Sequence, residues 1–280
     1  MNCLKPFHKK GASFGCLQCM PCRINTARKW TARMVIEACS HEHASFITLT
    51  YDQENLPHGG TLVPGDLQLW LKRLRKQHKL PLRFYAVGEY GDRTWRPHYH
   101  VALYGLGRNG AGLIRETWGK GLTDTGDLTL QSARYIAGYV TKKLTRPNDP
   151  RLSPGIHPEF ARMSLRPGIG ASGLSSIAAG LRSKAGQQLL TLSGDVPSML
   201  RNGRNSLPLD RYLRKGLRDV LAFTPSPTPH ETRARYAKML ALYANSGTTQ
   251  TFTSYQRERY QQKILQSIKK QKIYSSKGTL

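Results

Sequence analysis

Apolar positions along the chain follow two periods. Between Asn25 and Ala38, Trp30, Met34 and Ala38 recur at i, i+4 and i+8 with Ala27 and Val35 beside them, which predicts an amphipathic helix. Ser45 to Tyr51 alternates and is rich in β-branched and aromatic residues, so it predicts a strand. A turn-rich loop, Asp52 to Gly65, leads into a second helix that opens at Gly65-Asp66. Leu67, Trp70, Leu71 and Leu74 form its stripe, with Lys72, Arg73, Arg75 and Lys76 around it. Leu82 to Glu89 predicts a second strand, Tyr90 to Pro97 a polar turn, His98 to Gly105 a third strand, and Leu130 to Leu144 a third helix. Beyond Thr145 the periods fade. Arg146 to Gly186 is rich in Pro, Gly and Ser, which places a boundary near residue 148. His230 to Asn245 and Ser254 to Tyr274 predict two further helices, the second strongly basic. The order strand, helix, strand, strand, then helix predicts an α+β fold.

Charge adds a partner class. The 280 residues carry 43 Lys and Arg against 17 Asp and Glu, a net charge of +26. A chain this basic calls for a polyanion, and phosphate neutralisation makes nucleic acid the first choice over a membrane surface. No acidic residue precedes Glu37, and residues 201–280 hold 16 basic residues against 4 acidic ones. The 13 Tyr, 7 Phe and 4 Trp exclude a wholly disordered chain, and the short apolar runs exclude a membrane-spanning helix. Met1 to Gly15 has no apolar stretch of the signal-peptide kind, so a reducing compartment is expected.

That compartment shapes the reading of the cysteines. Cys16, Cys19 and Cys22 are spaced C-x2-C-x2-C, and Cys3 supplies a fourth thiol, enough for a tetrahedral structural Zn2+ site. Part of an iron–sulfur run, or four free thiols buried as small hydrophobes, are the alternatives. Cys39 reads as a core residue of the first helix.

Candidate chemistry centres on His98-Tyr99-His100. Alternation along a strand turns both imidazoles to one face, where they suit one divalent cation. If the strands on either side of 90–97 form a hairpin, Glu89 lies near both and adds an oxygen ligand, a set suited to Mg2+ or Mn2+. Its alternative is pairing with Arg93 or Arg96. On the third helix, Tyr135 and Tyr139 stand at i and i+4, followed by Lys142 and Lys143. A phenol can attack phosphorus, and a nearby ammonium favours the phenolate. The stripe Ala133, Ile136, Ala137, Val140 and Leu144 faces the core.

These stretches resemble a known family. Phe46 to Tyr51 looks like the first motif of rolling-circle replication initiators, Pro97-His98-Tyr99-His100 like their His-hydrophobic-His motif, and Tyr135-x3-Tyr139-x2-Lys142 like their two-tyrosine motif. Gly88 to Asp92, Arg96 to His98 and the Cys-rich start resemble the initiators of gokushovirus-type microviruses, over residues 3 to about 145. The resemblance implies a ferredoxin-like domain with a central antiparallel sheet and flanking helices, followed by a mostly helical basic C-terminal region. It divides the chain into a Cys-rich segment (1–22), an HUH-type nuclease domain (23–148), a connecting region (149–228) and a basic helical region (229–280).

It also implies nicking of single-stranded DNA at a replication origin in the host cytoplasm. Tyr139 is the first nucleophile and Tyr135 the alternate, Lys142 stabilises charge, and His98, His100 and Glu89 hold the metal. Thr48, Thr50, Asp52, Arg93, Arg96 and Lys143 contact DNA, with Phe46 in the core. Trp95 and Tyr51 could stack on unpaired bases, and Trp118 is expected in the core. No GxxxxGK[ST] loop is present, so unwinding falls to a host helicase and synthesis to a polymerase. A transposase or plasmid relaxase of the same catalytic type, or a non-catalytic zinc-containing nucleic-acid-binding protein, are the competing readings.

Overall fold

A computed structural model describes residues 3–9, 12–91, 94–139, 152, 154–226 and 230–276. In chain order the first elements are β1 (Phe7–Lys9), β2 (Ala12–Phe14), α1 (Met20–Ala38), β3 (Ala44–Thr50), α2 (Pro64–His78), β4 (Arg83–Tyr90) and β5 (Pro97–Tyr104). Then come α3 (Ala111–Trp118), β6 (Thr123–Asp127), α4 (Leu130–Gly138), β7 (Phe160–Met163), α5 (Leu174–Leu181) and α6 (Lys184–Ser193). The last are β8 (Met199–Asn202), β9 (Asn205–Pro208), α7 (Arg211–Leu221), α8 (His230–Ala244) and α9 (Phe252–Ser276). The chain divides into two compact units, one of residues 30–173 and one of 1–29 with 174–280.

The 30–173 unit is built on an antiparallel five-stranded sheet in the order β6-β3-β5-β4-β7. Its first four members, taken with α2 and α3, have the β-α-β-β-α-β connectivity and strand order of the ferredoxin-like fold. Strand alternation divides the side chains of β3 and β5 between two faces. Ile47, Leu49, Tyr51, Tyr99, Val101 and Leu103 face one way and pack with Leu67, Trp70, Leu71 and Leu74 of α2 and Ile114 and Trp118 of α3. Each such side chain, fully buried, is worth about 1.5–3 kcal/mol. A polar chain runs through this layer: the Tyr51 hydroxyl donates to Asp66 at 2.8 Å, Tyr51 and Tyr99 share a bond at 2.7 Å, and Tyr99 donates to the Val63 carbonyl at 2.9 Å. It ties α2 and the loop before it to the central strand.

The opposite face is covered at one end by the part of α1 from Trp30 onward. The Trp30 and Tyr85 rings lie 4.9 Å apart, and the Tyr104 hydroxyl donates to the Met34 carbonyl at 3.3 Å. The buried Glu37 carboxylate accepts from Arg83 and from the Gly170 amide. Burial alone would raise its proton affinity, but hydrogen bonds from Arg83, Ser172 and Gly170 hold its carboxyl below the ordinary value.

Predicted and observed elements agree closely from Ala44 to Tyr104, and several differences have physical reasons. The first helix begins at Met20, before the predicted Asn25, because its opening turn carries Cys22 rather than an apolar stripe. Cys39 lies beyond that helix and is exposed, not in the core. The boundary expected near 148 falls inside the sheet-bearing unit, since β7 pairs with β4 through Gly88↔Phe160 to Tyr85↔Met163. Gly88 is required there: a Cβ at that position would lie 2.7 Å from the Phe160 ring. The third helix is seen as α4, with Ala133, Ile136 and Ala137 buried as expected; Val140 and Leu144 lie outside the described residues. The helices expected from 230 and 254 are α8 and α9. Among the described residues no helix is long and apolar enough to cross a membrane.

Candidate metal and tyrosine site

β4 and β5 pair so that Glu89 lies opposite His98 and Val87 opposite His100, while β3 sets Thr50 opposite His98 and Thr48 opposite His100. One face of three adjacent strands therefore carries Glu89, His98, His100, Thr48 and Thr50. The Glu89 Oε1 atom lies 2.7 Å from His98 Nε2 and 3.2 Å from His100 Nε2. One ligand atom from each of Glu89, His98 and His100 falls within 4.8 Å of the others. Glu89 and His100 are buried and His98 is half-buried.

The far sides of the rings bear on whether this set fits a cation. His98 Nδ1 lies 3.1 Å from the Arg96 carbonyl, which can only accept, so Nδ1 carries the proton and Nε2 is the ligand nitrogen. His100 Nδ1 is 3.0 Å from the Thr48 hydroxyl, which can accept in the same way. Imidazoles held at Nδ1 with Nε2 directed at a carboxylate are the arrangement that metal-binding histidines adopt. Two imidazoles and a carboxylate suit Mn2+ or Mg2+.

α4 brings the tyrosines to this triad. Its start is fixed by a capping box in which the Thr129 hydroxyl accepts from the Ser132 amide at 3.2 Å and the Ser132 hydroxyl from the Thr129 amide at 2.8 Å. With Ala133, Ile136 and Ala137 buried, Tyr135 and Tyr139 fall on the side facing the histidines. The Tyr139 ring stacks on His100 with centroids 5.3 Å apart and planes at 13°. Tyr135 meets His100 edge-on at 5.1 Å and Tyr139 at 5.0 Å. Burial, then the negative charge of Glu89, raise the Tyr139 phenol far above its ordinary value, and hydrogen bonding to Tyr135 and Glu89 acts the same way.

Thr48, assigned to DNA, bears on His100 instead. Phe46 is not a core residue: it is half-buried on the site face, 5.6 Å from the His100 ring and 6.0 Å from Tyr135. Thr50 shares that face. Asp52 closes a local turn, accepting from the Asn55 amide at 2.8 Å and its side chain at 2.9 Å; these bonds hold its carboxyl below the usual range. Arg96 spans to the Tyr51 carbonyl at 3.1 Å, so Glu89 faces the histidines and not Arg96. Tyr51 is buried at 1% exposure and cannot stack on a base, while Trp118 is in the core as expected. Trp95 is 48% exposed, in the left-handed region at φ 54°, and stacks with Tyr90 at 5.9 Å. With Leu56, Arg96, Pro97 and Ile156 it lines a cleft of about 550 Å3. Arg93, Lys142 and Lys143 lie outside the described residues.

In the other unit, Cys3, Cys16, Cys19 and Cys22 come together with their sulfurs within 4.8 Å of one another. Amide donors from Cys19 and Gln18 pull the Cys16 thiol down to about 6, and burial pushes Cys22 up to about 12.

A ferredoxin-like sheet with a His-x-His strand, a neighbouring carboxylate and a two-tyrosine helix defines a class, and the comparisons fall within it. Residues 44–144, which build this whole face, match the family model for replication-associated protein ORF2. The chain is similar to replication-associated protein VP4 of Bdellovibrio phage phiMH2K, 36% identical over 170 residues that cover 52% of this chain and 54% of that one. It is 32% identical over 176 residues to replication-associated protein ORF2 of Spiroplasma virus 4, covering 54% of each. It is 30% identical over 152 residues to replication-associated protein ORF4 of Chlamydia phage 1, covering 46% of this chain and 38% of that one. The chain thus spans about half the length of the first two relatives. No solved structure matches it. These matches bear out the resemblance to phage replication initiators drawn from the motifs.

Proposed function

We propose that this protein initiates rolling-circle replication by nicking single-stranded DNA at a phage origin and linking itself to the 5′ end. The observation that carries the reading is that both tyrosines of α4 pack directly on the His100 ring of the Glu89–His98–His100 triad. Glu89, His98 and His100 would hold Mg2+ or Mn2+. When bound, the cation draws negative charge from the non-bridging oxygens of the scissile phosphate.

The protein's own groups do the rest. The Tyr139 oxygen attacks phosphorus, a Tyr–O–P bond forms, and the P–O3′ bond breaks. The leaving oxygen takes up a proton as the 3′-OH from which a polymerase extends. The phosphotyrosine conserves the phosphodiester's bond energy, so later rejoining needs no nucleotide cofactor. In the metal-free site the Glu89 charge opposes a Tyr139 phenolate; neutralising that carboxylate removes the opposition, which couples nucleophile activation to metal binding. Tyr135, in edge contact with Tyr139, is placed to serve a second cleavage while Tyr139 carries DNA. Lys142 is assigned to charge stabilisation and Lys143 to the DNA backbone. Thr50 and Arg93 are assigned to DNA, and the exposed Trp95 beside its cleft to an unpaired base.

The proposed nuclease domain extends through β7, and the basic segments outside it serve the DNA backbone. Incubation with single-stranded origin oligonucleotides and Mn2+ should give a covalent adduct on a denaturing gel. The adduct should be lost in His98→Ala and reduced in Tyr139→Phe. An adduct that survives Tyr135→Phe/Tyr139→Phe rejects the reading. A transposase or relaxase would use the same site, and its adduct would form on non-origin strands.

A further inference from the structure

The cysteine cluster is outside the replication site, and its surroundings show why a metal is needed. Cys3 precedes the β1–β2 hairpin, Cys16 and Cys19 follow it, and Cys22 is in the first turn of α1. This segment has little apolar burial of its own. Leu4 is 52% exposed, Phe7 53% and Leu17 71%, and the hairpin's one ring contact, Phe7 on Phe14 at 5.5 Å, is on the surface. A short segment without a core needs a covalent or metal staple.

The sulfurs are arranged for one ion. Cys19 Sγ lies 3.9 Å from Cys3 Sγ. Tetrahedral coordination at about 2.3 Å per Zn–S bond sets neighbouring sulfurs about 3.8 Å apart. An iron–sulfur cluster would place its cysteines on separate irons and spread them wider. Backbone amides already point at the sulfurs: Cys16 N–H at Cys3 Sγ (3.2 Å), Cys19 N–H at Cys16 Sγ (3.3 Å) and Leu4 N–H at Cys19 Sγ (3.4 Å). Such donors offset the charge that four thiolates bring to one ion.

α9 reaches this knot through one residue. The Tyr260 hydroxyl donates to the Cys3 carbonyl at 3.2 Å and accepts from the Cys3 amide. Both backbone groups of a cysteine at the cluster are thus satisfied by a helix 257 residues further along the chain. Ile264, one turn beyond Tyr260, is 3% exposed.

We infer that Cys3, Cys16, Cys19 and Cys22 bind one zinc ion, and that this zinc fixes the basic C-terminal helix α9 to the N-terminal segment through Tyr260. Ordering of α9 then depends on metal, independently of any nicking chemistry.

The full-length protein, purified without added metal, is analysed for metal content and by hydrogen exchange. The expected result is one zinc per chain, and a thiolate-to-metal absorption band on replacement by Co2+. Cys16→Ser should lose the zinc and the exchange protection of residues 252–276. Tyr260→Phe should retain the zinc yet lose that protection, a readout that does not require the Cys variant to fold. A chain with iron or no metal, or zinc-free protein with α9 fully protected, overturns the zinc assignment. Undiminished α9 protection in Tyr260→Phe overturns the staple. Nicking activity enters neither result, so failure here and failure of the replication reading are separable.

Discussion

Thr48→Val is the substitution that best isolates the metal site from the fold. It replaces a hydroxyl by a methyl in the middle of β3, where a β-branched residue of the same shape preserves strand propensity. What it removes is the 3.0 Å bond to His100 Nδ1. That bond fixes which His100 nitrogen carries the proton and aims Nε2 at Glu89. Loss of such an orienting partner costs roughly 10–100-fold in metal affinity, or about 1.4–2.8 kcal/mol. The fold loses one partly buried hydrogen bond, worth about 1 kcal/mol. Titration calorimetry with Mn2+ on Thr48→Val, His100→Ala and the parent chain measures the first quantity, and urea unfolding the second. The expected order of affinity is parent, then Thr48→Val, with binding abolished in His100→Ala. If Thr48→Val binds Mn2+ within twofold of the parent while His100→Ala does not bind, Thr48 has no part in orienting the site. If all three bind alike, the triad is not the metal site.

Other consequences follow from the packing. Glu37→Gln should destabilise by about 3–5 kcal/mol at neutral pH, because it leaves the Arg83 guanidinium without its buried counter-charge. Since the folded carboxyl is held below its unfolded value, this stability is present above about pH 4.3 and is lost as pH falls through the folded value. Unfolding curves of parent and variant should therefore converge in acid, and a constant gap would contradict the assignment. Trp118 and Trp95 should separate cleanly. Trp118→Ala empties a fully buried site and breaks the indole bond to the Thr50 carbonyl, costing about 3–5 kcal/mol of stability. Trp95→Ala should leave the melting temperature within error and weaken single-stranded DNA binding by about 1–3 kcal/mol, read by fluorescence anisotropy. Equal behaviour of the two variants would count against the cleft as a base site.

The triad was legible because its geometry is local. His98 and His100 share a face by alternation alone, and a hairpin of fixed register returns Glu89 to them. Tyr135 and Tyr139 were legible from helical spacing, but their contact with His100 depends on where α4 docks, which no spacing encodes. The same alternation, applied to β3, would have corrected two assignments. Phe46 has the parity of Thr48 and belongs to the site face; Tyr51 has the parity of Ile47 and Leu49 and belongs to the core. β6 and β7 escaped notice because edge strands need not be apolar: Thr123–Asp127 carries two aspartates and a glycine, and Ala161 and Arg162 are exposed. The stretch Pro167–Gly170 reads as a turn-rich linker. It is held by tertiary partners instead, with Arg83 donating to the Pro167 carbonyl at 2.8 Å and Arg33 to that of Ile169 at 2.7 Å.

The central claim is that a tyrosine of α4 attacks the phosphate. Trypsin cuts after Arg134 and Lys142, so one peptide, Tyr135 to Lys142, carries both candidates. Mass spectrometry of the nuclease-trimmed, trypsin-digested adduct should find the nucleotide on that peptide, with fragment ions placing it on Tyr139 in the parent and on Tyr135 in any residual adduct of Tyr139→Phe. A nucleotide on any other peptide, or none on a protein shown to bind Mn2+ and single-stranded DNA, would contradict it.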